Sequence, residues 1–102
     1  MMPLRYVILR HEGWGETHFD LMFETSPGSP LATWRSPTWP PADVNLLTRL
    51  PDHRREYLDY EGPVSNNRGI VHRVEQGHCQ IDRPDGQTWI IALPGFTLRI
   101  LI

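Results

Sequence analysis

Apolar and polar positions along the chain alternate mostly with a period of two, in short runs broken by proline and glycine. Thr17 to Glu24 (THFDLMFE) alternates strictly. As a β-strand it sends Thr17, Phe19, Leu21 and Phe23 to one face and His18, Asp20, Met22 and Glu24 to the other. Leu4 to Arg10 (LRYVILR) has the β-branched and aromatic bulk of a first strand. Glu12 to Glu16, with glycines on either side of Trp14, reads as the loop of a hairpin joining the two. TSPGSP (Thr25 to Pro30) is a turn, and Leu31 to Arg35 a third strand. Ser36 to Asp43 carries three prolines and must be a surface loop. Val44 to Leu50 reads as a fourth strand.

Pro51 to Gly62 is the one stretch with helical character. Asp52 is placed to cap a short turn through Arg55 and Glu56, which would bring His53 and Tyr57, four apart, onto one face. After a loop at Pro63 to Gly69, four more strands are expected: Gly69 to Glu75, His78 to Asp82, Thr88 to Leu93 and Phe96 to Leu101. Their boundaries are the QG, RPDG and LPG turns. About eight short strands with frequent turns predict an all-β fold, a small closed or partly open β-barrel with one short helical turn.

Length and composition narrow this picture. A chain of 102 residues forms a single domain, 1–102, with one modest core to which four Trp, three Tyr and three Phe contribute bulk. No run is apolar enough to span a bilayer, and the start of the chain lacks the pattern of a signal peptide. A single cysteine, Cys79, excludes an internal disulfide and points to the reducing cytoplasm. A net charge of −2 is not that of a protein holding nucleic acid by bulk electrostatics. All ten basic residues are Arg, the side chain suited to two-pronged phosphate contacts.

Candidate chemistry concentrates on the polar face of the second strand. His18 and Asp20 lie two apart and project together, and His11 joins them if the hairpin brings the end of the first strand alongside. Two imidazoles and a carboxylate make an open site suited to Mn, Fe or Zn. The plainer alternative is that His18, Asp20 and Glu24 line the solvated face of a half-exposed strand. Asp59 and Glu61 are either partners orienting the histidines or turn residues. His72, alternating with Ile70 and Val74, reads as a core histidine, and Cys79 lacks the surroundings of a catalytic thiol. Trp14, Trp34, Trp39 and Trp89 are suited to stacking on DNA bases or to core and loop packing, and Trp34 and Trp89 are expected in the core.

Several motifs then line up in order: R-H, H-x-D-x-x-x-E, T-W-R-x-P, P-D-H-x-x-E-Y-x-D-Y-E-G, R-G-x-V and a Q-G turn. This order resembles the 3′-phosphoesterase domain at the N-terminus of bacterial DNA ligase D and its short standalone relatives, from about Arg5 to Gly77. The resemblance implies a β-barrel with a crescent-shaped groove. It also implies a metal-dependent enzyme, using manganese, with zinc or another transition metal as the alternative. Such an enzyme removes a 3′-phosphate or 3′-ribonucleotide from DNA to leave a 3′-hydroxyl for repair. Its partners would be a DNA 3′ end in a primer-template and a repair ligase or polymerase, with no membrane.

By the same resemblance His18 and Asp20 match metal ligands, and His53 and Tyr57 match the pair that contacts the phosphate. His11 is the best match for the first metal ligand, with Glu12 as the alternative. Two positions depart from the family: Met22 and Asn45 stand where arginines are expected. Arg49, Arg54, Arg55 and Arg68 are the candidates to replace them. The same departures motivate a second expectation, a catalytically lapsed module that binds DNA ends or a protein.

Overall fold

A computed structural model describes residues 3–101. The fold is all-β: eight strands form a curled half-barrel sheet, with two short 3-10 turns and no α-helix among the described residues. The strands are β1 (Leu4–Glu12), β2 (His18–Glu24), β3 (Leu31–Ser36), β4 (Thr48–His53), β5 (Gly62–Pro63), β6 (Ile70–Asp82), β7 (Thr88–Leu93) and β8 (Phe96–Leu101). Their order across the sheet is β4-β3-β2-β1-β6-β7-β8, every pairing is antiparallel, and β5 adds to β6.

The central strands are buried on both faces, which explains why β2 has only one residue that is not fully buried, Phe19. On one face Tyr6, Ile8, Leu21, Phe23 and Trp34 pack against Trp89, Ile91, Leu98 and Ile100, which curl over from β7 and β8. On the other, Val7, Leu9, Met22, Leu31 and Val71 are covered by Leu58 and Val64 from the segment between β4 and β6. Each such side chain contributes about 1.5–3 kcal/mol through removal from water. The curl is held where Arg49 of β4 lies over Trp34 at 4.6 Å and Trp89 at 5.2 Å. Trp34 and Trp89 are thus core residues, as expected.

Four local expectations are corrected. Val44–Leu46 is a 3-10 turn rather than strand, because the Asp43 side chain accepts from the Asn45 N–H at 2.8 Å and caps it. The fourth strand begins at Thr48 and runs to His53, with Pro51 tolerated because β4 is an edge. The second 3-10 turn, Arg55–Leu58, has Arg54 at its cap position and no side-chain cap. Asp52 instead lies in β4 and pairs with Arg49 at 3.1 Å.

The QG pair does not end a strand: β6 is continuous over 13 residues. Gly77 is there for Tyr6, since a Cβ at that position would sit 3.3 Å from the tyrosine ring. Irregularity in β6 falls instead at Val74, where the pairing jumps from Ile8↔Glu75 to Leu9↔Arg73 and leaves one extra residue. Finally, His72 is not in the core. It is half-exposed, with its Nε2 4.0 Å from Glu12.

Candidate metal centre and its surroundings

Register brings the candidate ligands together. β1 and β2 pair with His11 directly opposite His18 and Leu9 opposite Asp20, so His11 and Asp20 are diagonal neighbours on one face. All three are buried, at 6%, 7% and 4% exposure, which excludes the solvated-strand alternative. One donor atom from each lies within 4.8 Å of the others, so the group can hold a metal ion. Glu12 points elsewhere by alternation: its carboxylate pairs with Arg10 at 2.7 Å.

The hydrogen bonds set which ring nitrogens face inward. His18 Nδ1 lies 3.0 Å from the Glu16 carbonyl and His11 Nε2 2.6 Å from the Arg68 carbonyl. A carbonyl only accepts, so each of these nitrogens carries its proton outward, and in the neutral ring the other nitrogen presents a lone pair. Those lone pairs face Asp20: His18 Nε2 is 3.5 Å from Oδ1 and His11 Nδ1 is 3.6 Å from Oδ2. Neither separation is a hydrogen bond, and His18 Nε2 and Asp20 Oδ1 are buried with no partner.

With both rings neutral, three inward acceptors face one another, an arrangement that a bound cation would complete. Ligand atoms at about 2.1 Å from a tetrahedral ion stand about 3.4 Å apart, close to the two separations here. The residues fit a divalent ion, and the two backbone carbonyls orient the imidazoles as outer partners commonly do. Asp59 and Glu61 have no part in this. Asp59 pairs with Arg5 at 2.8 Å, and Glu61 accepts from the Arg73 N–H at 3.1 Å.

Two cavities open beside the cluster. A small one of about 80 Å³ brings His53 and Tyr57 to the same space as His11 and Asp20, with Arg35 and Arg68 on its wall. A larger groove of about 490 Å³ runs past His18 between Trp14, Pro37 and Leu46. His53 and Tyr57 do meet, ring centroids 5.9 Å apart, but through packing of β4 against the second 3-10 turn rather than along one helical face. His53 Nδ1 donates to the Pro51 carbonyl at 2.8 Å, which fixes the ring with Nε2 on its other side.

Met22 lies on the same face and packs among Val7, Leu9 and Leu31. Asn45 is exposed and lines a separate crevice with Arg49 and Leu101. Of the replacement arginines, only Arg68 reaches the small cavity. Arg49 stacks on tryptophans, Arg54 pairs with Glu56 at 3.4 Å, and Arg55 binds Glu24 at 2.6 Å.

Glu24, at the far end of the polar row, is therefore a structural carboxylate. Burial pushes its pKa up, but bonds from the Arg5 N–H, the Arg55 guanidinium and the Gly28 N–H outweigh it and hold the group below the usual range. Cys79 is suppressed by burial and by the nearby charge of Glu24, its thiol pushed up to about 11.

One site residue, Arg35, is not singled out by the sequence. Arg35 stands directly across the register from Asp20 and borders both cavities. Its placement follows from the alternation Leu31, Thr33, Arg35, but only once the β2–β3 register is known. Trp14 also borders both cavities, is 46% exposed and lies 5.8 Å from the His11 ring. It is held on a loop where Gly13 and Gly15 take φ of +81° and +70°. A scan against protein-family models finds no match for this chain, and a search of curated proteins finds none either. No helix among the described residues is long and apolar enough to cross a membrane.

Proposed function

We propose that this chain is a metal-dependent phosphoesterase acting at DNA 3′ ends, removing a 3′-phosphate or 3′-ribonucleotide to leave a hydroxyl. The observation that carries the reading is the convergence on one small cavity of His11 and Asp20 from the metal cluster with His53 and Tyr57. The motif order resembling the ligase D 3′-phosphoesterase supplies the substrate class and manganese as the ion, with zinc or another transition metal as the alternative. Held by His11, His18 and Asp20, such an ion would polarise a phosphoryl oxygen and acidify a bound water or hydroxyl.

The chain's own residues would do the rest. His53 has its Nδ1 proton fixed on the Pro51 carbonyl, so Nε2 is the atom that hydrogen-bonds a phosphate oxygen or passes a proton to the departing group. Tyr57 packs against that ring and fixes its angle to the cavity. Burial of the cluster excludes bulk water and strengthens each charge–charge contact. With a net charge of −2, the protein would recognise the chemistry of an end rather than the length of a duplex. A repair ligase or polymerase would then use the hydroxyl.

Purified protein with manganese and a primer-template ending in a 3′-phosphate or a ribonucleotide tests this. Loss of the end group, abolished by His18→Ala and by His53→Ala, is the expected result. No product, or product indifferent to both substitutions, refutes the enzyme. The burial of uncharged Met22 beside Asp20 favours a second reading, a lapsed module that binds metal and a DNA end or protein without turnover. NMR shifts at His18 and Asp20 on metal titration, without turnover, would select it.

A further inference from the structure

Among the described residues, Arg35 is the one arginine bordering the two cavities with no partner. Its guanidinium makes no hydrogen bond and no ion pair among the described residues, and its Nε is buried without an acceptor. Arg10 and Arg73, the other arginines with a buried Nε lacking a hydrogen bond, are each held by a glutamate, at 2.7 Å and 3.4 Å. With no partner inside the protein, the outer Nη atoms of Arg35 keep their capacity to bind an acceptor.

Position says what that acceptor is. Arg35 lies opposite Asp20 in the β2–β3 register and is the only charged residue bordering both cavities. The small cavity holds a single carboxylate, Asp20, against Arg35, Arg68 and the ion that the cluster fits. That balance is strongly positive and calls for an anion. At about 80 Å³ the space takes one phosphoryl-sized group and not a nucleoside, whereas the adjoining groove of about 490 Å³ is large enough for a sugar and base.

We infer that Arg35 is the oxyanion-binding residue of this site, holding a phosphate group at the junction of the two cavities beside the His11–His18–Asp20 cluster. The inference deepens the phosphoesterase reading and rests on it for the identity of the anion. A planar guanidinium gives two parallel N–H bonds to phosphate oxygens, and here the two outer Nη atoms, which are not buried, supply that fork.

The test is titration of the Co²⁺-loaded protein with inorganic phosphate, by calorimetry and through the visible bands of the metal. Wild-type protein and Arg54→Met, which alters an exposed arginine outside both cavities, should bind alike. Arg35→Met should weaken phosphate binding about 10- to 100-fold while the cobalt bands before phosphate stay unchanged. Arg35→Lys keeps the charge and the stem, and should fall between. Equal affinity in Arg35→Met, no phosphate binding by the wild type, or failure of both variants to fold each overturns the inference, the last by making Arg35 a structural residue. Phosphate binding through Arg35 without any processing of DNA 3′ ends would refute the phosphoesterase and leave the anion site standing.

Discussion

Asp20→Asn should stabilise the metal-free protein while abolishing its response to metal. In the absence of an ion the Asp20 carboxylate is 4% exposed, its Oδ1 has no partner, and two imidazole lone pairs face it at 3.5 and 3.6 Å. An asparagine has nearly the same shape but brings an NH₂ group. It turns one of the two acceptor–acceptor contacts into a hydrogen bond and removes the buried charge. Relief of an unsatisfied buried group is worth about 1–3 kcal/mol. For a domain of this size each kcal/mol moves the melting temperature by about 4–8 °C, so the variant should melt about 4–24 °C above wild type in chelator. Metal at a hundred times its dissociation constant should add about 2.7 kcal/mol to the wild type and nothing to the variant. Paired thermal melts in EDTA and in excess Mn²⁺ read both effects. An Asp20→Asn protein that melts below wild type in EDTA refutes the reasoning, because Asp20 would then be paired with protonated imidazoles. A variant that keeps the wild-type metal shift refutes it as well.

Two further predictions concern the frame of the site. Glu24 has its pKa held below the ordinary value of 4.5, so the ion pair with Arg55 stabilises the fold above that pH and is lost as pH falls through the lowered folded value. Glu24→Gln should therefore cost about 1–3 kcal/mol at pH 7 and much less in acid, measured by urea unfolding across pH 2–7; a cost independent of pH contradicts the assignment. Gly69→Ala should be severe, because φ is +83° and a Cβ would lie 2.0 Å from the Glu12 carbonyl oxygen. Displacing Gly69 also moves the Arg68 carbonyl that orients His11, so metal affinity should fall with stability. Wild-type affinity in a folded Gly69→Ala protein would show that this carbonyl does not orient the ring.

Sequence by itself determined the all-β class, because residues such as Tyr6 to Leu9 and Thr88 to Leu93 favour strands and the prolines and glycines leave no room for helices. It also determined that His18 and Asp20 share a face, since alternation along one strand is local. It misjudged Val44 to Leu50 and the QG pair, where a side-chain cap at Asp43 and the ring of Tyr6 decide the backbone.

Tertiary structure alone decided the rest of the site. Whether His11 or Glu12 meets His18 depends on a pairing register that one residue of slip would invert. Burial of both sheet faces turned a strand's polar row into a sequestered cluster, because the segment around Leu58 and Val64 closes over it. The carbonyls of Glu16 and Arg68 carry no signature along the chain, and the arginine of the T-W-R-x-P run comes beside Asp20 only through the β2–β3 register. Their roles come from which strand lies beside which, and a backbone oxygen leaves no mark in a sequence at all.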